Sequence, residues 1–131
     1  MKMYGPLNSG AAAGSAGSAT ANATGTARIC GEVYGVYVKY NDSPPAATTD
    51  VTIATLGTSP FPPTVTILSL ANAATDGWFY PRIALASTAG AAITYDGTRP
   101  IYGCIPVDDY IKVTIAQANS ADNVDVWLLV D

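Results

Sequence analysis

The residues before the C-terminal aspartate leave little choice of secondary structure. Val124, Val126, Leu128 and Val130 share one parity, and Asp125, Trp127, Leu129 and Asp131 the other. Ile111, Val113 and Ile115 oppose Lys112 and Thr114 in the same way. A period of two sends alternate side chains to opposite faces of a strand, so one face enters a core and the other meets solvent or a neighbour. From Ile29 onward the chain repeats this theme in short runs rich in Val, Ile, Thr and Tyr. Strands are predicted at 29–40, 51–56, 64–70, 78–85, 91–95, 101–105, 110–116 and 124–130. The separators are turn material: Asn41-Asp42-Ser43-Pro44-Pro45, Ser59-Pro60-Phe61-Pro62-Pro63, Asp76-Gly77, Asp96-Gly97 and Asn119 to Asn123. Helix formers are scarce, with Glu32 the only Glu and Gln117 the only Gln. The fold expected is all-β, a two-sheet antiparallel β-sandwich of jelly-roll-like or immunoglobulin-like order over residues 28–131.

Residues 1–27 read differently. Between Lys2 and Arg28 there is no charge, and residues 10–27 hold Gly, Ala, Ser, Thr and Asn without a Leu, Ile, Val or Phe. The small residues at Ala19, Ala21 and Ala23 resemble a leader's cleavage site, but no apolar region precedes them. A segment of this kind buries too little apolar surface to order itself. It is expected to be an extended, non-regular arm held by another chain.

Several chemistries are disfavoured by composition. With no histidine, Ser-His-Asp triads, Cys-His dyads and ordinary zinc sites cannot be built within the chain. Six basic residues against ten acidic ones, without clustering, leave no footprint for nucleic acid. No run of about 18 apolar residues predicts a membrane helix. Cys30 and Cys104 belong to no Cys-x-x-Cys pattern and are expected as buried free thiols. Asp108-Asp109 is the only adjacent acidic pair, but strand neighbours diverge, and after Pro106 the pair is expected to open a turn into a strand from Tyr110. Asp122, Asn123 and Asp125 offer hard oxygen ligands, yet match no full calcium loop and read as a hairpin turn. Neither a cofactor nor a metal is expected.

The aromatic residues are more informative. Parity places Tyr34 and Tyr40 with Val36 and Val38, and Tyr37 on the opposite face. In Asp76-Gly77-Trp78-Phe79-Tyr80-Pro81-Arg82, Trp78 and Tyr80 share a face and Phe79 takes the other. Exposed rings beside Arg82 are the residue types enriched at protein interfaces; they also suit sugar stacking. Only 12% of residues are charged, so the outer strand faces are poorly furnished for isolation and suit an oligomer. The candidate contact residues are Tyr4, Pro6 and Leu7 in the arm, with Tyr34, Tyr40, Trp78, Tyr80 and Arg82 in the domain.

The stretches Gly35 to Tyr40, Pro44 to Ile53, Asp76 to Arg82, Ile105 to Asp109 and Val113 to Ala118 together resemble small virion structural proteins of tailed bacteriophages, most of all capsid decoration (cement) proteins. The likeness spans about residues 35–131 and lies in composition and order rather than in an active-site signature. It implies a non-enzymatic protein on the outer surface of a phage head, assembled in the host cytoplasm. The implied state is a homotrimer whose arm grips the major capsid protein. A carbohydrate- or receptor-binding virion module, such as a head fibre or tail component, is the alternative.

Overall fold

The computed structural model describes residues 1–41 and 45–131. The middle of the corner expected at Asn41–Pro45 therefore lies outside the described residues. Among them there are nine strands and no helix: β1 (Lys2–Asn8), β2 (Ala19–Tyr40), β3 (Asp50–Thr55), β4 (Thr66–Leu70), β5 (Gly77–Phe79), β6 (Ile83–Ala84), β7 (Tyr102–Gly103), β8 (Ile105–Ala118) and β9 (Val124–Val130). Seven form one antiparallel sheet in the order β1-β9-β2-β8-β3-β4, with β5 also on β2; β6 and β7 pair separately.

The alternation predicted for β8 and β9 is realised. Val124, Val126, Leu128 and Val130 are buried, as are Ile111, Val113 and Ile115. They join Val36 and Val38 of β2 and Val51 and Ile53 of β3 in one apolar cluster. Both ends of the sheet path thus share a single core.

The first 27 residues are not a non-regular arm. β1 zips onto β9 from Lys2↔Val130 to Asn8↔Asp125, and β2 starts at Ala19, running through residue 27 without interruption. The backbone supplies this pairing whatever the side chains are. Small residues still alternate: Ala19 is fully buried, Ala21 and Ala23 are half-buried, and Thr20, Asn22 and Thr24 are exposed. In the link between the strands Ser9 and Ala12 are buried, and Ala12 exchanges backbone hydrogen bonds with Ala121 and Asp122.

Two further expectations change. The runs expected as strands at 78–85, 91–95 and 101–105 are broken: the first divides into β5 and β6, the second holds only isolated bridges at Ala92 and Thr94, and the third divides into β7 and the start of β8. Phe79 of β5 pairs with Val36, and Ile105 of β8 pairs with Val33, both on the side of β2 away from β9. β5 and β8 therefore lie end to end along one edge of β2, and residues 80–104 loop out between them. Cys30 is exposed and Cys104 half-buried, so neither is a core thiol; Cys30 faces outward beside Asp108 across the β2/β8 pair.

An aromatic band as the candidate functional site

One bulge in β2 decides which rings meet. The register with β9 passes from Val33↔Val130 to Gly35↔Leu129, so β2 carries one extra residue there. An extra residue reverses the side-chain parity beyond it. Val33 points inward before the bulge and Val36 and Val38 after it, which turns Tyr34 outward with Tyr37. Tyr40 follows Val36 and Val38 into the core and is buried. The shared face expected for Tyr34 and Tyr40 is therefore corrected, and Tyr40 leaves the candidate contact surface. Burial, with Asp76 beside it, pushes the Tyr40 phenol up to about 12.

Beyond the bulge, Tyr37 stands directly opposite Trp127 of β9 on one side and Trp78 of β5 on the other. Cross-strand partners on one face bring rings into contact. The ring centroids lie 5.6 Å apart for Tyr37–Trp127 and 5.4 Å for Tyr37–Trp78. Trp78 and Tyr80 stack at 6.3 Å with 13° between their planes, and Tyr80 meets Tyr34 edge-on at 6.2 Å. Arg82 closes the row, with its guanidinium 5.1 Å from the Tyr34 ring centre and Nη1 donating to the Tyr34 and Pro81 carbonyls. Five rings and a cation form one continuous band across three strands. Trp78, Tyr80 and Tyr34 remain 43%, 57% and 42% exposed. Phe79 turns inward against the core, as parity predicted.

The band sits on a glycine. A Cβ at Gly35 would stand 3.2 Å from Tyr80 Cε1 and 3.5 Å from Trp78 Cε3, so the rings lie directly on bare backbone. At the other end, Met3 joins Tyr37, Trp78 and Trp127 around a shallow depression of about 270 Å³. Farther along β9, Asn8 and Asn41 each donate to both Asn123 and Asp125. Asp122 accepts from the backbone of Ala46 and Asn119. Residues 119–122 do form a turn, with Asp122 N–H donating to the Asn119 carbonyl, but not a hairpin, because β2 lies between β8 and β9; Asn123 and Asp125 beyond it accept from Asn8 of β1 and from Asn41, just past β2.

The looped-out segment 80–104 adjoins the Tyr80 end of the band. Leu85, Ile93 and Ile101 recur every eight residues and close a backbone ring: Leu85 N–H donates to Ile101, Ile101 to Ile93, and Ile93 to Leu85. At its tip Asp96 accepts from the N–H groups of Arg99 and Thr98, which hold its carboxyl below the usual range, and pairs with the Arg99 guanidinium at 2.7 Å. These are the only charged residues between 83 and 103. Ile83, Leu85, Tyr95, Ile101 and Tyr102 are all exposed. Residues 83–103 thus present exposed apolar side chains with one charge of each sign, Asp96 and Arg99, paired to each other.

Other expected features separate. Asp108 and Asp109 lie within β8 rather than opening a turn, because β8 already begins at Ile105. They diverge as strand neighbours must: Asp108 takes a two-pronged bond from Arg28 at 2.8 and 2.6 Å, and buried Asp109 accepts from Gly57 N–H and Tyr110 N–H. Tyr4, Pro6 and Leu7 lie away from the band and line a cleft between β1 and β2. Sequence reasoning omitted Trp127, Tyr37, Met3 and Gly35, although the outward parity of Trp127 and Tyr37 was already visible. Compared with protein-family models, curated proteins and solved structures, the chain matches none.

Proposed function

We propose that this chain is a non-enzymatic virion structural protein, a capsid decoration protein of a tailed bacteriophage, that binds the major capsid protein as a homotrimer through its aromatic face. The observation that carries the reading is the unbroken band from Trp127 to Arg82, laid over Gly35 and held by cross-strand neighbours. Contiguous exposed rings with an arginine are the usual centre of a protein interface. The segment beside them adds further exposed apolar side chains, Ile83, Leu85, Tyr95, Ile101 and Tyr102, and exposed apolar clusters mark interaction sites. Fixed rings lose little entropy on docking, which favours association. We read the folded sheet as the two-layer, jelly-roll-like sandwich of such a subunit, since both ends of its strand path share one core. With residues 2–8 and 19–27 built into the sheet as β1 and the start of β2, the grip on the shell falls to the band and the looped-out segment rather than to an arm.

The experiment is co-sedimentation with undecorated capsids, comparing the full chain with Trp78→Ala/Tyr80→Ala. Saturable binding by the first and its loss in the second are expected; no binding by the full chain would sink the reading. The near-parallel Trp78 and Tyr80 rings also favour a second reading, a carbohydrate-binding virion module. Saturable quenching of Trp fluorescence by an oligosaccharide, without capsid binding, would put that reading first.

A further inference from the structure

The cleft beside β1 has features of a site rather than a packing fault. β1 and β2 are consecutive and begin as a hairpin, with Ala13 and Thr20 exchanging both backbone hydrogen bonds. Continuing that register would set Leu7 opposite Thr26 and Tyr4 opposite Ile29. The strands part instead, β1 pairing with β9 and β2 with β8. Each is bulged where they part: β1 loses register with β9 between Tyr4 and Leu7, and β2 with β8 between Thr24 and Arg28. The space between them is about 300 Å³, walled by Tyr4, Leu7 and Thr24–Ala27, and floored by Ile29, Ile111 and Leu128. The last three belong to the buried core, so the cleft reaches it from outside. Unfilled apolar space forfeits packing contacts, and closing the hairpin would recover them.

We infer that this cleft is a binding site for a small, neutral, apolar molecule. Neutrality follows from the walls, since among the described residues no charged side chain lines it. Size follows from the volume of about 300 Å³: at roughly 30 Å³ per water molecule it has room for about ten waters, the size of a bicyclic aromatic or a short aliphatic chain. The polar side chains of the lining are Tyr4, Thr24 and Thr26, which with the backbone give the mixture of apolar wall and few polar groups common to ligand pockets. Gly25 keeps the cleft open. A Cβ there would stand 3.6 Å from both Ile111 O and Leu7 Cδ2, in ordinary contact, so a side chain at this position starts against the Leu7 wall of the cleft.

Indole, neutral and bicyclic, is the probe. In methyl-labelled protein followed by NMR, indole should shift the Leu7, Ile29, Ile111 and Leu128 methyls saturably. Indole-3-acetate, its anionic relative, should bind at least tenfold more weakly. Gly25→Leu, checked for an unchanged far-ultraviolet spectrum, should abolish the effect. Lack of saturation, equal binding by Gly25→Leu, or shifts confined to the Trp78 and Trp127 indoles would overturn the assignment. Should Gly25→Leu fail to fold, the methyl map of the unaltered protein decides alone: saturable shifts at those four residues uphold the site, and any other pattern removes it. None of this depends on the capsid reading, which is tested by sedimentation.

Discussion

Gly35 lies under the Tyr80 ring so closely that a methyl group on its α-carbon would come within 3.2 Å of Cε1. The ring therefore rests on backbone, and Gly35→Val must lift it. Overpacking of this kind costs about 1–3 kcal/mol. Chemical denaturation should show that loss with an altered near-ultraviolet spectrum and little far-ultraviolet change. In a Tyr80→Ala background the same substitution should cost much less, because the obstructing ring is gone.

Asp109 and Asp108 should separate in a stability assay despite adjacency. Asp109 is buried and satisfies two backbone donors, so Asp109→Ala strands both and should cost about 2–6 kcal/mol, from roughly 1–3 per orphaned group. Asp108 holds Arg28 at the surface, where such pairs contribute under about 1 kcal/mol. Asp108→Ala should therefore be nearly neutral. Comparable losses for both would contradict this division.

Tyr40 sets a pH dependence. Its hydroxyl is buried with no hydrogen-bond partner among the described residues, and its folded pKa is raised from 10.0 to about 12. A phenol raised on folding contributes stability that is intact below its unfolded pKa and is lost as pH rises from about 10 to 12. Tyr40→Phe removes both the orphaned hydroxyl and the titration. It should match or exceed the parent by about 1 kcal/mol at neutral pH, and its advantage should widen above pH 10 in denaturation curves. A parallel decline of the two proteins would place the alkaline transition elsewhere.

Much of this was legible in advance, and where it was not the reason is physical. The cores of β8 and β9 and the division of Trp78, Phe79 and Tyr80 between faces followed from parity alone. Parity held at Tyr40, which follows Val36 and Val38 inward, and failed at Tyr34, which the extra residue before Gly35 turns outward; a bulge leaves no mark in a Val/Tyr-rich run. It was overlooked at Ala19, Ala21 and Ala23, where the alternation is present but written in side chains too small to register as apolar. The band was half visible: Trp78, Tyr80, Tyr34 and Arg82 stood out locally. Their union with Tyr37 and Trp127 depends on pairing across about 90 residues of chain, which no local pattern encodes.

The end-to-end placement of β5 and β8 also makes the looped-out segment separable. Phe79 and Ile105 are partnered by residues of β2 only three positions apart, a span of about 10 Å at strand rise. A chain in which two or three residues replace 80–104 would run as one uninterrupted strand beside β2, its core untouched. Such a shortened protein should remain folded with a melting temperature close to the parent's. The same junction would accept a longer or chemically different insert. The molecule thus has a fixed body and an exchangeable outcrop, and new contacts can be tried at the second without risk to the first.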